Sequence, residues 1–289
     1  MQIKVNSLTL RSPGYPEVLK HIPERPQRLF WAGVDPAEWL GKPRVAIVGS
    51  RKASYYGRGV TQKIAGELAR AGVVIISGLA LGIDSIAHQA ALDAGGCTVA
   101  VLPTPLQQIY PSSHVNLARQ IIEQGGSLIS EYADSYPGYR VNFIARNRIV
   151  SGLADILLIT EAAVNSGTLH TARFALEQGK TVMVVPGNIT NLGSEGCNNL
   201  IKSGAVPVTT VEDIFFALNI RFGGAEKAKK FRGSPEAVRL LRLIANGISD
   251  QEDLALACQL NGSAISSTLT MLEIAGYIKP SGNGHWHAA

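Results

Sequence analysis

The sequence predicts an α/β protein built on a doubly wound, mostly parallel sheet, with a smaller second domain at the C-terminus. One short pattern, in which an apolar strand leads through a Gly/Ser turn into a helix, occurs at residues 45–51, 73–84 and 156–168. The chain has 289 residues, 46% of them hydrophobic, which is enough to bury a large core. Together these features are typical of a Rossmann-like sheet.

The N-terminal 42 residues differ in composition from the rest of the chain. Prolines are frequent and no hydrophobic period persists, so residues 1–42 are predicted to form an irregular extension packed on the main domain. A short helix is predicted at residues 15–19 and a strand at residues 28–31.

Residues 43–220 are predicted to form the Rossmann-like domain. Apolar, β-rich runs lie at residues 45–48, 73–76, 98–102, 127–129, 156–159 and 181–185. Helical stretches fill the intervals, as at residues 59–70 and 168–178, and this alternation indicates parallel strands joined by crossover helices. A short seventh strand at residues 206–208 and a helix at residues 211–218 close the domain.

The C-terminal part begins with a basic, glycine-containing segment at residues 221–234 that is typical of a linker. Residues 235–289 are predicted to form a winged-helix domain, with helices at 235–246, 250–259 and 263–275 and then a hairpin. In such a domain the third helix enters a major groove, but here it contains no Lys or Arg. A protein-contact or regulatory role is therefore favoured over the reading of duplex DNA.

Composition narrows the class of protein only in part. The net charge of +5 is compatible with a polyanionic partner, but many metabolic enzymes are equally basic. The three cysteines form no CxxC pair, which indicates a reducing compartment without a zinc or disulfide framework. The sequence supports neither a signal peptide nor a transmembrane helix, so we expect a cytoplasmic protein without a membrane partner.

The Gly/Ser turns are candidate anion sites, because glycine lets the backbone approach a ligand and the following helix offers free N–H groups. Two familiar nucleotide motifs fail. Gly179-Lys180-Thr181 precedes a strand instead of following one, so a P-loop cannot form, and Gly57-Arg-Gly59 lacks the third glycine of a dinucleotide fingerprint. Neither ATP nor NAD is implied, and we predict no cofactor and no metal.

Three arginines are the best candidates to hold phosphate. Arg51 follows the first core strand, and Arg146 and Arg148 lie two positions apart. On one helix those two side chains diverge by about 200°, so they reach one ligand only near a helix end, and surface salt bridges are the alternative. Asp84 and His88 lie one helical turn apart and predict a shared hydrogen bond, structural in role because no nucleophile accompanies them.

A set of motifs occurs in order through the large domain. They are Ile47-Val-Gly-Ser-Arg51 with Ser54 and Tyr56-Gly57, Ser77-Gly-Leu-Ala-Leu-Gly-Ile-Asp84 with Ala87-His88, Tyr110-Pro111, Ser130-Glu131-Tyr132, Phe143 with Arg146-Asn-Arg148, Ser166-Gly-Thr168 and Val185-Pro-Gly187. In these motifs residues 15–220 resemble the DNA-processing protein A family (DprA, also called Smf), many members of which carry a short winged-helix domain. Two positions depart from the family: residues 101–105 contain prolines where a glycine turn is usual, and Ala145 stands where proline is common.

The resemblance implies a bacterial cytosolic protein without catalytic activity. Such a protein binds and shields single-stranded DNA, acts as a homodimer and helps to load the RecA recombinase in natural transformation. Combined with the residue chemistry, it assigns DNA binding to Gly49, Ser50, Arg51, Phe143, Arg146, Asn147, Arg148, Ser166, Gly167 and Thr168. The arginines supply charge, the hydroxyls bind phosphate, and Phe143 or Tyr55 stacks on a base. Because parallel strands bring their C-terminal turns to one edge, we expect Arg51, Phe143, Arg146 and the 166–168 turn to line a single cleft.

The alternative is a nucleotide-processing hydrolase of related fold, like the cytokinin-activating phosphoribohydrolases. In those enzymes a catalytic glutamate closely follows a Gly-Gly-x-Gly-Thr loop. Here Gly167 and Thr168 remain, but His170 and Thr171 stand at the acidic positions, which favours a binding protein over an enzyme. A transcription factor acting through the winged helix is disfavoured by its uncharged third helix.

Overall fold

The structure is a computed structural model that describes residues 4–220, 234–245, 248–282 and 284–288. The chain divides into two compact units, Met1–Arg221 and Phe222–Ala289. Of the predicted linker, residues 221–233 lie outside the described residues. Among the described helices, none has both the length and the apolar character needed to cross a membrane.

Strands of the first unit form one sheet. In its described part there are nine: β1 (Asn6–Thr9), β2 (Arg28–Gly33), β3 (Arg44–Val48), β4 (Val74–Ser77), β5 (Thr98–Val101), β6 (Ser127–Ser130), β7 (Ile156–Ile159), β8 (Thr181–Val184) and β9 (Val206–Pro207). Their order across the sheet is β1-β2-β6-β5-β4-β3-β7-β8-β9. The strands from β6 to β9 pair in parallel, as crossover connections require, so the predicted mostly parallel sheet is confirmed.

Helices cover both faces of this sheet. They are α1 (Glu17–Lys20), α2 (Ala37–Leu40), α3 (Tyr55–Arg70), α4 (Ile83–Asp93), α5 (Val115–Glu123), α6 (Asn142–Ala145), α7 (Asn147–Leu153), α8 (Thr168–Glu177), α9 (Glu195–Lys202) and α10 (Val211–Ala217). The central strand β3 is buried along its whole length and shows how the layers form. Val45 and Ile47 belong to one apolar cluster with residues of α3 and α4, whereas Ala46 and Val48 belong to another with residues of α7 and α8. This alternation produces a doubly wound core.

The N-terminal segment is more ordered than predicted. The strand predicted at residues 28–31 is β2, whereas β1 was not predicted. β1 pairs antiparallel with β2 and β2 with β6, so residues 4–42 add two strands to the sheet instead of an irregular extension. Leu19, Leu29 and Trp39 of this segment are buried in the same core as the parallel strands. The prolines of this segment lie outside its strands, where no ladder hydrogen bond is needed.

The second unit contains three helices and a hairpin: α11 (Pro235–Ala245), α12 (Gln251–Cys258), α13 (Gly262–Ile274), β10 (Ile278–Gly282) and β11 (His285–Ala288). The two strands pair antiparallel. Leu240, Leu254 and Leu269 come from different helices and are fully buried together, which gives this unit an apolar core of its own. The order of elements is the one predicted for residues 235–289, and the winged-helix assignment itself stays a prediction.

Candidate functional site

A cleft of about 550 Å³ opens where the parallel strands end. The turns after β3, β4 and β7 form its walls together with residues of α6 and the start of α7. Nine of the ten predicted site residues line it: Gly49, Ser50, Arg51, Phe143, Arg146, Asn147, Ser166, Gly167 and Thr168. Residues far apart in sequence are thus brought together by the common edge of the sheet, as expected.

The turn after β3 is held tightly by its neighbours. The Ser50 N–H donates to the Glu161 carbonyl at 2.8 Å, and the Ser50 carbonyl accepts from the Ile83 N–H at 3.1 Å. A Cβ on Gly49 would lie 2.7 Å from Ile83, and one on Gly82 would lie 2.3 Å from the Ser50 carbonyl oxygen. The two hydrogen bonds fix the backbone of this turn before any ligand arrives. The close approach of the neighbouring segments leaves room only for glycine at both places.

Arg51 is an accessible cation of the cleft. Its side chain is exposed, and it makes no hydrogen bond or ion pair with any described residue. Lys52 beside it is also exposed and lines the cleft, although sequence reasoning did not select it. Two cations without carboxylate partners at the mouth of a glycine-rich turn can attract an anion without first breaking an internal contact.

Arg146 lies in the cleft wall but is only 4% exposed. Its guanidinium donates to the carbonyl of Gly78 at 2.5 Å and to the carbonyl of Val101, and its Nε donates to the Asn147 amide oxygen at 3.2 Å. Burial lowers the pKa of Arg146 to about 10, against the opposing effect of Asp84, so the side chain stays charged at neutral pH. Arg146 therefore links the turn after β4 to the end of β5, and its charge adds positive potential to the cleft.

Asp84 and His88 do not share the hydrogen bond that their spacing predicts. The Asp84 carboxylate accepts instead from the N–H groups of Gly78 at 3.0 Å and Ala80 at 3.4 Å, and burial raises its pKa. His88 Nδ1 lies 2.7 Å from the Thr98 hydroxyl oxygen. Burial lowers the pKa of His88 to about 3, so the ring is neutral. The prediction of a shared bond was wrong because each side chain finds a nearer partner in an adjacent loop or strand.

Arg148 is the predicted site residue that the structure places elsewhere. It forms a two-pronged ion pair with Glu131, at 2.8 and 2.7 Å, and its Nε donates to the Glu24 carbonyl at 2.8 Å. Its side chain is buried in this pair and does not line the cleft. The divergence of two helical side chains two positions apart explains the result, so for Arg148 the salt-bridge alternative is the correct one.

Aromatic rings form one side of the cleft. Phe143 is half-buried, and its ring meets that of Tyr110 edge-on with centroids 5.0 Å apart. These two rings, with Leu81 and Pro103, line a smaller adjoining recess of about 50 Å³. The sequence analysis did not select Tyr110 as a site residue, although the Tyr110-Pro111 motif marked its position.

The turn after β7 completes the site. Ser166 Oγ donates to Thr168 Oγ1 at 3.0 Å, and the Thr168 N–H at the start of α8 donates to Ser166 Oγ at 3.3 Å. Gly167 between them has open space where a side chain would be. Asn165, which precedes this turn, also lines the cleft and was not predicted. The cleft therefore combines exposed cations, hydroxyl groups and an aromatic wall, a set suited to a phosphate chain that carries bases.

Comparison with known proteins identifies the family. The family model described as DNA recombination-mediator protein A matches residues 6–219. The chain belongs to this family. The match begins at the first residue of β1 and ends after α10, so it spans the whole nine-stranded sheet of the described first unit.

Relatives extend this result beyond the family model. Protein Smf from Escherichia coli strain K12 is 40% identical over 284 residues, which cover 95% of this chain and 75% of the relative. The DNA processing protein DprA of Streptococcus pneumoniae is 38% identical over 211 residues, or 73% of each chain. The resemblance to DprA and Smf proteins is confirmed, and the chain is placed among DNA-processing proteins.

Two solved structures share the fold. DNA processing protein A from Streptococcus pneumoniae superposes with a TM-score of 0.68 at 38% identity and covers 74% of both chains. The same protein from Helicobacter pylori, whose structure concerns a single-stranded DNA binding mode, gives 0.67 at 32% identity and covers 75% of this chain and 96% of that one. These neighbours confirm the Rossmann-like fold of the first unit.

Proposed function

We propose that this protein binds single-stranded DNA in the cleft at the strand ends and breaks no bond in doing so. The observation that carries the proposal is Arg51: an exposed guanidinium, unpaired among the described residues, in a cleft that the half-buried Phe143 also lines. The single-stranded DNA binding mode of the Helicobacter pylori relative supports it.

The cleft offers each contact that a single strand needs. Arg51 and Lys52 neutralise phosphates, and Arg146 adds potential from below. The hydroxyls of Ser50 and Thr168 donate to phosphate oxygens. The ring of Phe143, held edge-on by Tyr110, presents a π-face to a base. Such stacking tolerates any sequence, because every base has a π-face.

We also propose the finer role that the family suggests. The protein shields incoming single strands, acts as a cytoplasmic homodimer and passes the DNA to the RecA recombinase during natural transformation. The description of the matching family as recombination mediators supports this role. On this view the protein first binds the single strand and then transfers it. The cleft must therefore bind DNA tightly enough to hold the strand and must still be able to release it.

The acidic groups near the cleft favour binding over hydrolysis. Glu161, at the end of β7, is buried and accepts from the N–H and hydroxyl of Ser54 at 2.9 and 3.1 Å. Asp84 is the carboxylate found among the described residues that line the cleft, and it is occupied by two backbone N–H groups. Glycoside cleavage requires a pair of carboxyl groups flanking the bond, and the described lining does not supply one.

Affinity measurements on the full chain test the proposal. Fluorescence anisotropy with single-stranded and duplex oligonucleotides of the same sequence should show preference for the single strand, while a parallel assay for mononucleotide hydrolysis should show no turnover. Equal affinity for both forms, or turnover, would overturn it. The transfer step is tested separately, by the rate at which RecA assembles on single strands already covered by a single-strand-binding protein. If this protein does not accelerate RecA assembly, the proposed role in RecA loading is wrong, while the proposed binding of single-stranded DNA stands.

A further inference from the structure

We propose a second base-stacking subsite, centred on Tyr55, which binds the nucleotides that leave the cleft past Lys52. The inference rests on the proposed function, because its ligand is the continuation of the same DNA strand. Tyr55 is 96% exposed although it begins a sixteen-residue helix packed on the core. At this exposure the ring is free to stack on a base, as the aromatic side chains of single-strand-binding surfaces do.

Tyr55 is not among the residues that line the cleft. The start of α3 and the loop at residues 186–194 carry a set of exposed side chains, which we name the α3 platform: Tyr55, Tyr56, Arg58, Ile189 and Leu192. Ile189 and Leu192 are 92% and 78% exposed and come from the loop at residues 186–194. This loop lies against the start of α3, since the Tyr56 hydroxyl donates to the Pro186 carbonyl at 2.8 Å. A second link is Glu161, which bonds Ser54 and would lie 2.9 Å from a Cβ on Gly193.

The platform begins three residues after the cleft lining. Arg51 and Lys52 line the cleft, and Tyr55 follows Lys52 by three residues, so its Cα lies no more than about 11 Å from that of Lys52. A strand that leaves the cleft between these cations therefore reaches Tyr55 within the next few nucleotides. The same strand cannot turn inward there, because the Ser54 hydroxyl and the Glu161 carboxylate are bonded to each other below the surface.

Charge identifies the occupant as DNA in preference to a protein. Residues 50–58 read Ser-Arg-Lys-Ala-Ser-Tyr-Tyr-Gly-Arg, with three exposed cations, two exposed tyrosines and no acidic residue. The loop at residues 186–194 contains no charged residue at all. Cations interleaved with exposed rings match a polyanion that carries bases, and they favour DNA as the occupant.

The test compares oligothymidylates from about 4 to about 16 nucleotides, a range that spans the site sizes of single-strand-binding folds. Tyr55→Ala should leave the Kd of the shortest oligomers unchanged and raise that of the longest between about 5-fold and about 100-fold, the range expected for one lost stacked base. Tyr55→Phe should retain the affinity for long oligomers. Tyr55→Leu, which keeps an apolar side chain without a π-face, should behave like the alanine variant.

Arg51→Ala separates this inference from the function on which it rests. If Arg51→Ala weakens every length while Tyr55→Ala weakens none, the cleft stands and the subsite is wrong. If Tyr55→Ala weakens all lengths equally, Tyr55 acts within the cleft and a separate subsite is also wrong. A change in sedimentation of Tyr55→Ala without any loss of DNA affinity would identify the platform as a protein contact instead.

Discussion

The Arg146 guanidinium donates a hydrogen bond to the carbonyl oxygen of Gly78 at 2.5 Å, and the N–H of Gly78 donates to Asp84 at 3.0 Å. One glycine thus joins a buried cation to a buried carboxylate beneath the cleft. A Cβ at this position would lie 2.4 Å from the Arg146 guanidinium, so a side chain has no room. The floor of the cleft depends on this three-residue arrangement, and its energetics can be tested.

Arg146→Gln should destabilise the fold by about 1 to 3 kcal/mol, because the buried carbonyls of Gly78 and Val101 lose their charged hydrogen-bond donor. Urea unfolding measures the change in the free energy of unfolding. Arg51→Ala is the matched control and should change that free energy by less than about 0.5 kcal/mol, since Arg51 is exposed. Equal stability of Arg146→Gln and the parent chain would contradict a bracing role for Arg146.

Arg51→Ala should weaken binding of single-stranded DNA without unfolding the protein. The slope of log K against log salt concentration should become shallower by about 0.7. This is the change expected for one lost phosphate contact, because one fewer counterion is released on binding. Anisotropy titrations at several salt concentrations measure both quantities. Arg119→Ala removes an exposed cation outside the cleft lining and serves as the control. An unaltered salt slope in Arg51→Ala would remove this residue from the site.

Phe143→Ala should reduce the free energy of DNA binding by about 1 to 3 kcal/mol, through the loss of one stacked base. The half-buried ring should contribute less to folding than a core phenylalanine. Phe215→Ala is the comparison, since Phe215 is 1% exposed and should cost about 3 to 5 kcal/mol of stability. Thermal unfolding of both variants measures the loss of stability, and anisotropy titration measures the loss of DNA affinity. A large fall in Tm for Phe143→Ala with DNA binding intact would show that the ring serves the core.

His88 should make the fold less stable in mild acid. Thr98 donates its hydroxyl proton to the Ile75 carbonyl at 2.8 Å, so its oxygen accepts from His88 Nδ1–H, and the buried Nε2 has no partner among the described residues. With a folded-state pKa of about 3 against 6.5 when unfolded, the unfolded chain binds the extra proton between these values. Stability is therefore complete above about pH 6.5 and falls as the pH drops, by about 2 kcal/mol at about pH 5.

His88→Gln isolates that contribution. The variant loses the titrating ring, so its free energy of unfolding should change less between about pH 7 and about pH 5 than that of the parent chain. The comparison also separates His88 from Asp84, whose pKa burial shifts in the opposite direction, upward. If the free energy of unfolding falls equally with pH for the parent chain and the variant, His88 takes up its proton in the folded state and the prediction is wrong.

The second unit should be dispensable for the primary activity. A chain that ends after Ile220 retains the whole nine-stranded sheet of the described first unit and every residue that lines the cleft. We expect it to fold and to bind single strands with unchanged affinity. Circular dichroism and anisotropy provide the measurements. A folded core that no longer binds DNA would move the site to the basic segment at residues 221–234 or to the hairpin.

Local sequence determined the parallel core of this protein. Residues 45–48, 156–159 and 181–185 are apolar on both faces, a pattern that is specific to strands covered by helices on each side. It also determined that the turns after β3 and β7 share one edge, which is how Arg51 and Ser166 could be assigned to a common cleft. The first strand, β1, escaped prediction because it joins the sheet only by pairing with β2, which in turn pairs with β6, almost a hundred positions away.

Tertiary structure alone decided what each charged side chain does. Arg146 and Arg148 are the same residue type two positions apart. Arg146 lines the cleft and binds the Gly78 carbonyl, whereas Arg148 pairs with Glu131 outside it. Likewise Asp84 binds two backbone N–H groups instead of His88. Periodicity specifies which face of an element is buried. The partner of a buried charge depends on which carbonyl, carboxylate or N–H the rest of the chain brings within about 3 Å, and only the packed structure fixes that choice.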